Sequence, residues 1–140
     1  MPFHEKSAWI MAFLLALLGA AYFYNVIEIW SGTGQLVAPM LPLVVVYTIS
    51  LVVLAAGGHA VIAVLAPKEA NAATDERERL IFDRAGHYSS YVIGAGIVLS
   101  LGLYLLLHNG DLLFYMVFAS LMMGQIMEYV FQITFYRTSV

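Results

Sequence analysis

Four long apolar stretches constrain this chain more than any other feature. A helix needs about 20 mainly apolar residues to cross the hydrocarbon core of a bilayer, which is roughly 30 Å thick. The stretches cover residues 8–30, 41–66, 87–107 and 112–136. Their valine-rich runs lack the alternation of lipid-facing and inward residues that marks membrane β-strands. All four are therefore predicted to be transmembrane helices, within one transmembrane domain over residues 1–140.

The composition indicates that lipid, and not water, surrounds most of the chain. Hydrophobic residues make up 62% and charged residues 11%, whereas soluble domains average about 45–50% and about 25%. A water-exposed globule is thus excluded, and so is disorder, which needs low hydrophobicity and high charge. The net charge of −3 offers no cationic surface for direct binding of nucleic acid. The absence of cysteine removes disulfides and thiolate metal sites.

The basic residues predict the orientation of the chain. Lysine and arginine resist translocation and stay in the cytoplasm. All six fall on one side of a four-span chain: Lys6, Lys68, Arg77, Arg79, Arg84 and Arg137. We therefore expect an all-α, integral membrane four-helix bundle of up-down topology in the bacterial cytoplasmic (inner) membrane, with both termini in the cytoplasm. The first apolar run continues to Trp30, past a signal-peptidase-like Gly19-Ala20-Ala21, and is expected to be a permanent anchor.

The largest polar stretch is the loop over residues 67–86, also predicted to be cytoplasmic. Asp75 and Glu78 stand at the spacing of a helix capping box, and nothing breaks the chain before Gly86. A helix is therefore expected to begin near residue 75 and to run into the third span, extending about 15 Å beyond the membrane. Its charged residues are candidate contacts for a cytoplasmic partner: Glu76, Arg77, Arg79 and Asp83. The alternative is a solvated helix whose charges pair only with one another.

Several short motifs resemble a family of uncharacterised bacterial four-helix inner-membrane proteins. They are the opening run from Phe3 to Trp9, the run from Ala66 to Asn71, and Asp75-Glu76-Arg77 before the third span. The resemblance implies a small inner-membrane protein of unassigned activity. Similar proteins are often encoded beside a helix-turn-helix regulator, which implies a cytoplasmic regulatory protein as a partner. The family carries no assigned catalytic residue.

A polar cluster is predicted inside the membrane. Gln125, Glu128 and Gln132 form one polar stripe on the fourth span at positions i, i+3 and i+7. Glu128 lies roughly 12 Å from the cytoplasmic end of its span, counting 1.5 Å per residue, and His59 lies at a similar depth in the second. A hydrogen bond between Glu128 and His59 is geometrically reasonable if the second and fourth spans pack together.

Three interpretations of this cluster stay open. It locks helix packing as a buried hydrogen-bonded pair, or it responds to protons or ions, because imidazole changes charge near neutral pH. The third is metal ligation by His59, His87 and Glu128, since imidazole and carboxylate suit zinc, iron or manganese. His87 lies nearer the interface than His59, and the spacing matches no ligand motif, so neither a metal nor a cofactor is predicted.

Two further groups of residues are candidates for a ligand site and for a helix contact. Asn25, Glu28, His108 and Asp111 lie together at the outer face, where polar interfacial residues are ordinary and a shallow ligand site is the alternative. Ser90-x-x-x-Gly94 and Gly96-x-x-x-Ser100 give the small-residue spacing that permits close helix contact. That spacing serves either the bundle itself or a homodimer, and the sequence does not separate the two.

The sequence carries no phosphate loop, nucleotide fingerprint, metalloprotease motif or nucleophile elbow. The leading prediction is therefore a non-enzymatic accessory, sensor or scaffold protein, with membrane lipid and a cytoplasmic regulatory protein as partners. The alternative is a small oligomeric transporter or channel that uses Glu128 and His59, because small transporters do employ intramembrane carboxylates.

Overall fold

The described residues, 3–67 and 75–138 of a computed structural model, form four helices. In chain order they are α1 (Phe3–Thr33), α2 (Leu41–Leu65), α3 (Glu76–Leu107) and α4 (Gly110–Arg137). Each is long and apolar enough to cross a membrane. The predicted all-α class with four apolar helices is confirmed. Residues 68–74, which include the expected linker, lie outside the described part of the chain.

Local sequence sets where the helices begin and end. Pro42 stands in the first turn of α2, where its missing N–H costs no helical hydrogen bond. His108 ends α3 in the left-handed conformation with a φ of 51°. The Asn109 side chain then caps α4 by accepting a hydrogen bond from the Leu112 N–H at 2.9 Å. The turn between the third and fourth helices is thus built by a left-handed residue and an asparagine cap.

The helices pack in a defined order. Helix α1 packs against α2 and α4, and α3 packs most extensively against α4. The core of the bundle contains Tyr22 and Val26 from α1 with Tyr115 and Met122 from α4. Tyr47 brings α2 to this core, because its ring lies 5.6 Å from that of Phe118. No residue of α2 is fully buried, as expected for a helix whose remaining surface faces lipid.

Small residues allow α3 and α4 to approach closely. A Cβ at Gly96 would overlap the Ser120 side chain, and a Cβ at Gly124 would overlap Ile93. Ser100 is fully buried and donates to the Gly96 carbonyl at 2.6 Å. A Cβ at Gly94, in contrast, would enter open space. Of the two small-residue motifs, Gly96-x-x-x-Ser100 therefore serves the bundle, while Gly94 lies on the outer surface of α3.

Candidate functional site

The N-terminal segment of α3 is the candidate functional site. Asp75 precedes the helix and accepts a hydrogen bond from the Glu76 N–H at 2.8 Å. Asp75 is the N-cap residue, as expected from the sequence. Its side chain accepts from the N–H of Glu76, whereas in a capping box it would accept from the N–H of Glu78. Acidic residues in this turn also favour the positive end of the helix dipole. The polar segment is thus the start of the same helix that continues to Leu107.

One face of this segment packs onto the bundle. Ile81 and Ala85 are buried, at 2% and 0% exposure. Glu78, on the same face, accepts a hydrogen bond from the Tyr136 hydroxyl at 3.1 Å. The His4 ring lies edge-on to Phe82, with centroids 5.4 Å apart, and His4 Nε2 lies 3.9 Å from Glu78 Oε2. The start of α3 is therefore held by the first turn of α1 and the last turn of α4.

An ion pair joins the ends of α1 and α4 beside this contact. Arg137 Nε donates to Glu5 Oε1 at 3.3 Å, and the Arg137 guanidinium lies 5.5 Å from the centre of the Trp9 ring. The Glu5 side chain is only 9% exposed, whereas that of Arg137 is 61% exposed. A buried carboxylate is costly without a partner, so Arg137 compensates the charge of Glu5 while its outer side remains hydrated.

The opposite face of the segment is exposed and charged. All four residues predicted to contact a partner lie on it: Glu76, Arg77, Arg79 and Asp83. Leu80 lies among them with 56% of its surface exposed. Beside this face, a polar cavity of about 490 Å³ is lined by Glu5, Asp75, Arg77, Glu78 and Tyr136. The segment thus presents mixed charges and one apolar side chain on a helix that packing already holds in place.

The predicted intramembrane cluster is brought together only in part. Gln132 is buried and its Nε2 donates to Glu128 Oε1 at 3.5 Å. Glu128 is half-buried, and Gln125 is exposed on the same helix. The contact between Gln132 and Glu128 connects two residues one turn apart on α4, so it does not join two helices.

His59 forms its hydrogen bonds with α1 and with its own helix, and not with Glu128. Its Nδ1 lies 2.7 Å from the Ala55 carbonyl oxygen and its Nε2 lies 2.6 Å from Ser7 Oγ on α1. A carbonyl only accepts, so Nδ1 carries the proton in the neutral ring and Ser7 donates to Nε2. Helix α2 reaches α4 near Tyr47, about three turns away from His59. The structure therefore pairs His59 with α1 and not with Glu128, contrary to the geometry expected from the sequence.

Two other sequence candidates form hydrogen bonds within their own helices. His87 Nε2 lies 3.0 Å from the Tyr91 hydroxyl on the exposed side of α3. Asn25 donates to the Ala21 carbonyl of its own helix at 2.7 Å. Among residues 3–67 and 75–138, no three histidine, aspartate or glutamate side chains lie close enough together to hold a metal ion.

The residues that join the helix ends around the start of α3 were not predicted from the sequence. Glu5, Glu78, Tyr136 and Arg137 are spread over three helices, so no spacing rule connects them. One signal was present: Glu5 is the one acidic residue before the first span, and it lies on the side of the membrane where Arg137 is expected. A lone acid and a lone base at two chain ends indicate an ion pair only after the topology is known.

Comparison with known protein families, curated proteins and solved structures gives no match for this chain.

Proposed function

We propose that this chain is a small multi-pass protein of the bacterial cytoplasmic membrane that acts as a non-enzymatic accessory, sensor or scaffold. Its contact surface is the exposed face of α3 that carries Glu76, Arg77, Arg79 and Asp83. Its partner is a cytoplasmic regulatory protein whose charges complement this mixed face. The distribution of lysine and arginine supports a cytoplasmic position for this face.

The observation that carries the proposal is the division of this segment into two faces. Its inner face is fixed by Ile81, Ala85 and the hydrogen bond from Tyr136 to Glu78. Its outer charges are therefore presented on an ordered helix before any partner arrives. Such ordering lowers the entropic cost of association. A helix that served only as a solvated extension of the span would need neither a buried face at Ile81 and Ala85 nor a hydrogen bond to the last turn of α4.

Charge reversal tests the proposal directly. We would purify the full chain gently from native membranes as wild type, as Arg77→Glu/Arg79→Glu and as Arg77→Lys/Arg79→Lys. Wild type and the lysine variant are expected to carry one cytoplasmic protein in near-stoichiometric amount, measured by quantitative mass spectrometry. The glutamate variant is expected to lose it about tenfold, since like charges across an interface repel.

The lysine variant is the matched control, because it keeps charge and helix propensity. Equal recovery of the partner with all three proteins would overturn the proposal. So would the absence of any near-stoichiometric cytoplasmic protein from the wild type. Near-identical melting temperatures for the three proteins would show that the comparison reports on binding, and not on folding.

A further inference from the structure

In the described part of the chain, His4 is the one histidine with a ring nitrogen next to a carboxylate oxygen. Its Nε2 lies 3.9 Å from Glu78 Oε2. The rings of His59 and His87 face hydroxyl and carbonyl oxygens instead. Imidazole is the side chain that changes charge between about pH 5 and 8. The contact between His4 and Glu78 therefore becomes an ion pair when the ring takes up a proton.

This contact joins the first turn of α1 to the first turn of α3. The ring of His4 also lies edge-on to Phe82, one turn further along α3, with the centroids 5.4 Å apart. The side chain of His4 is 34% exposed, and that of Glu78 is 19% exposed. Water therefore reaches the ring and supplies its proton, while the partial burial of Glu78 keeps the two charges from being fully screened.

The carboxylate of Glu78 is the charge that a proton on His4 meets first. Glu78 accepts a hydrogen bond from the Tyr136 hydroxyl, a neutral donor, and lines a polar cavity of about 490 Å³ with Glu5 and Asp75. Glu5 is paired with Arg137. The ionisable groups of the three helix ends around His4 are Glu5, Lys6, Asp75, Arg77, Glu78, Tyr136 and Arg137. Of these groups, Glu78 lies against the ring, so its attraction acts over a short distance and is the strongest.

We propose that protonation of His4 tightens the attachment of the start of α3, so that the first turns of α1 and α3 form a pH-sensitive switch. When the ring is charged, it attracts the Glu78 carboxylate. When the ring is neutral, the aromatic contact with Phe82 remains. A proton that binds more strongly to the attached state stabilises that state, so attachment strengthens as the pH falls and weakens as the pH rises through the titration of the ring. The gain ends at lower pH, where Glu78 itself takes up a proton.

The switch acts on the segment that carries the proposed contact surface. Glu76, Arg77, Arg79 and Asp83 lie on the exposed face of the same turns of α3. A more firmly held helix start presents these charges at a lower entropic cost, so acidification is expected to strengthen partner binding. That consequence rests on the proposed function, whereas the switch itself is a property of the purified chain.

Amide hydrogen exchange of the purified full chain in detergent tests the switch. Protection over residues 76–82 is compared at about pH 5.5 and about pH 8, on either side of the histidine titration, after correction for the intrinsic exchange rate. Wild type is expected to show about two- to fivefold greater protection at the lower pH, the effect of a partly exposed ion pair. Protection in the middle of α4 is expected to be the same at both.

Three variants locate the response. His4→Phe keeps an aromatic ring beside Phe82 but takes up no proton, and Glu78→Gln keeps an acceptor for Tyr136 without a charge. Both are expected to show the same protection at the two pH values. His87→Gln is the matched control, because it removes an exposed histidine from the same helix and is expected to respond as wild type does.

Several results would overturn the proposal. They are protection that does not depend on pH in wild type, a response that persists in His4→Phe or in Glu78→Gln, and a response that disappears in His87→Gln. Melting temperatures close to that of wild type at the higher pH, where the ring carries no charge, show that the variants fold.

The switch and the proposed function fail separately. Recovery of a cytoplasmic protein from native membranes is an independent measurement. A pH response in a chain that binds no such protein would support the switch and overturn the proposed function. A bound protein together with pH-independent protection would overturn the switch and leave the proposed function standing.

Discussion

The Tyr136 hydroxyl donates a hydrogen bond to Glu78 Oε1 across 3.1 Å, and this bond joins the last turn of α4 to the first turn of α3. Glu5 and Arg137 make a second link at the same end of the bundle, at 3.3 Å. The first contact holds the polar start of α3 against α4, and the second joins α4 to α1 beside it. The position of the charged face of α3 therefore depends on contacts at the ends of α1 and α4.

Replacement of Tyr136 by phenylalanine is expected to loosen the start of α3 without unfolding the bundle. The change removes one partly buried hydrogen bond to a charged group, which is worth about 1–2 kcal/mol. Amide hydrogen exchange over residues 76–86 is expected to rise several-fold, while exchange in the middle of α4 stays unchanged. Tyr91→Phe is the control, because its hydroxyl lies 3.0 Å from the exposed His87 of its own helix. Unchanged exchange in Tyr136→Phe would show that apolar packing alone holds the segment.

The pair formed by Glu5 and Arg137 is expected to show coupling in a double-mutant cycle. Arg137→Gln leaves the buried carboxylate of Glu5 uncompensated, so we expect it to destabilise more than the double variant Glu5→Gln/Arg137→Gln. Because Arg137 is well exposed and water screens its charge, the coupling is expected to be about 0.5–1 kcal/mol. Denaturant unfolding in detergent measures it, with Arg79→Gln as an exposed control. Strictly additive effects would mean that the ion pair contributes nothing to stability.

Because α3 and α4 pack closely, substitutions at Gly96 and Gly124 are expected to cost more stability than a substitution at Gly94. Gly124→Ala and Gly96→Ala each place a methyl group on a neighbouring side chain, and overpacking of this kind costs about 1–3 kcal/mol. Gly94→Ala, on the same helix as Gly96, enters open space and is expected to be neutral or slightly stabilising, since alanine favours helix. Melting temperatures in detergent rank the three variants. A loss of stability in Gly94→Ala would indicate that a second chain covers this face.

Periodicity and span length were sufficient to predict the helices because those properties are local. The apolar stretches, Pro42 in the first turn of α2 and the Asn109 turn all act on their own segment of chain. The long helix α3 followed from the absence of any breaking residue between Asp75 and Gly86. Such features are visible in a sequence because the bilayer imposes the same length and polarity on every span.

The sequence does not show which helices pack against each other. That packing determines which of the candidate polar residues come into contact. Four apolar helices in lipid bury similar surfaces in many arrangements, so small differences in shape select one. The arrangement found places α1 against α2, which gives His59 the Ser7 hydroxyl as its partner. Glu128 instead accepts a hydrogen bond from Gln132 on its own helix. Glu78 and Tyr136 were missed for the same reason, since only the packing of α3 with α4 brings them together.

Replacement of Glu128 by glutamine separates the proposed role from the transport alternative. The Gln132 amide still finds an acceptor in the side-chain oxygen of the new residue, so we expect normal assembly and a melting temperature within a few degrees of wild type. Reconstituted in liposomes, wild type and variant are expected to give the same flux of protons and monovalent cations as empty vesicles. Glu128→Leu, which removes the acceptor, is expected to lower the melting temperature further.

A transporter would behave in the opposite way. Its flux would exceed that of empty vesicles and would be abolished by Glu128→Gln, because a neutral amide does not carry a proton or attract a cation. We expect the first outcome, since His59 hydrogen-bonds Ser7 of α1 and Ala55 of α2 and does not extend a polar path from Glu128. A proton path needs successive titratable groups within hydrogen-bond distance of one another. The hydrogen-bond partner of Glu128 in the structure is Gln132, which does not titrate. Flux that depends on Glu128 would therefore require an arrangement in which a second chain, or a movement of α2, supplies the missing link.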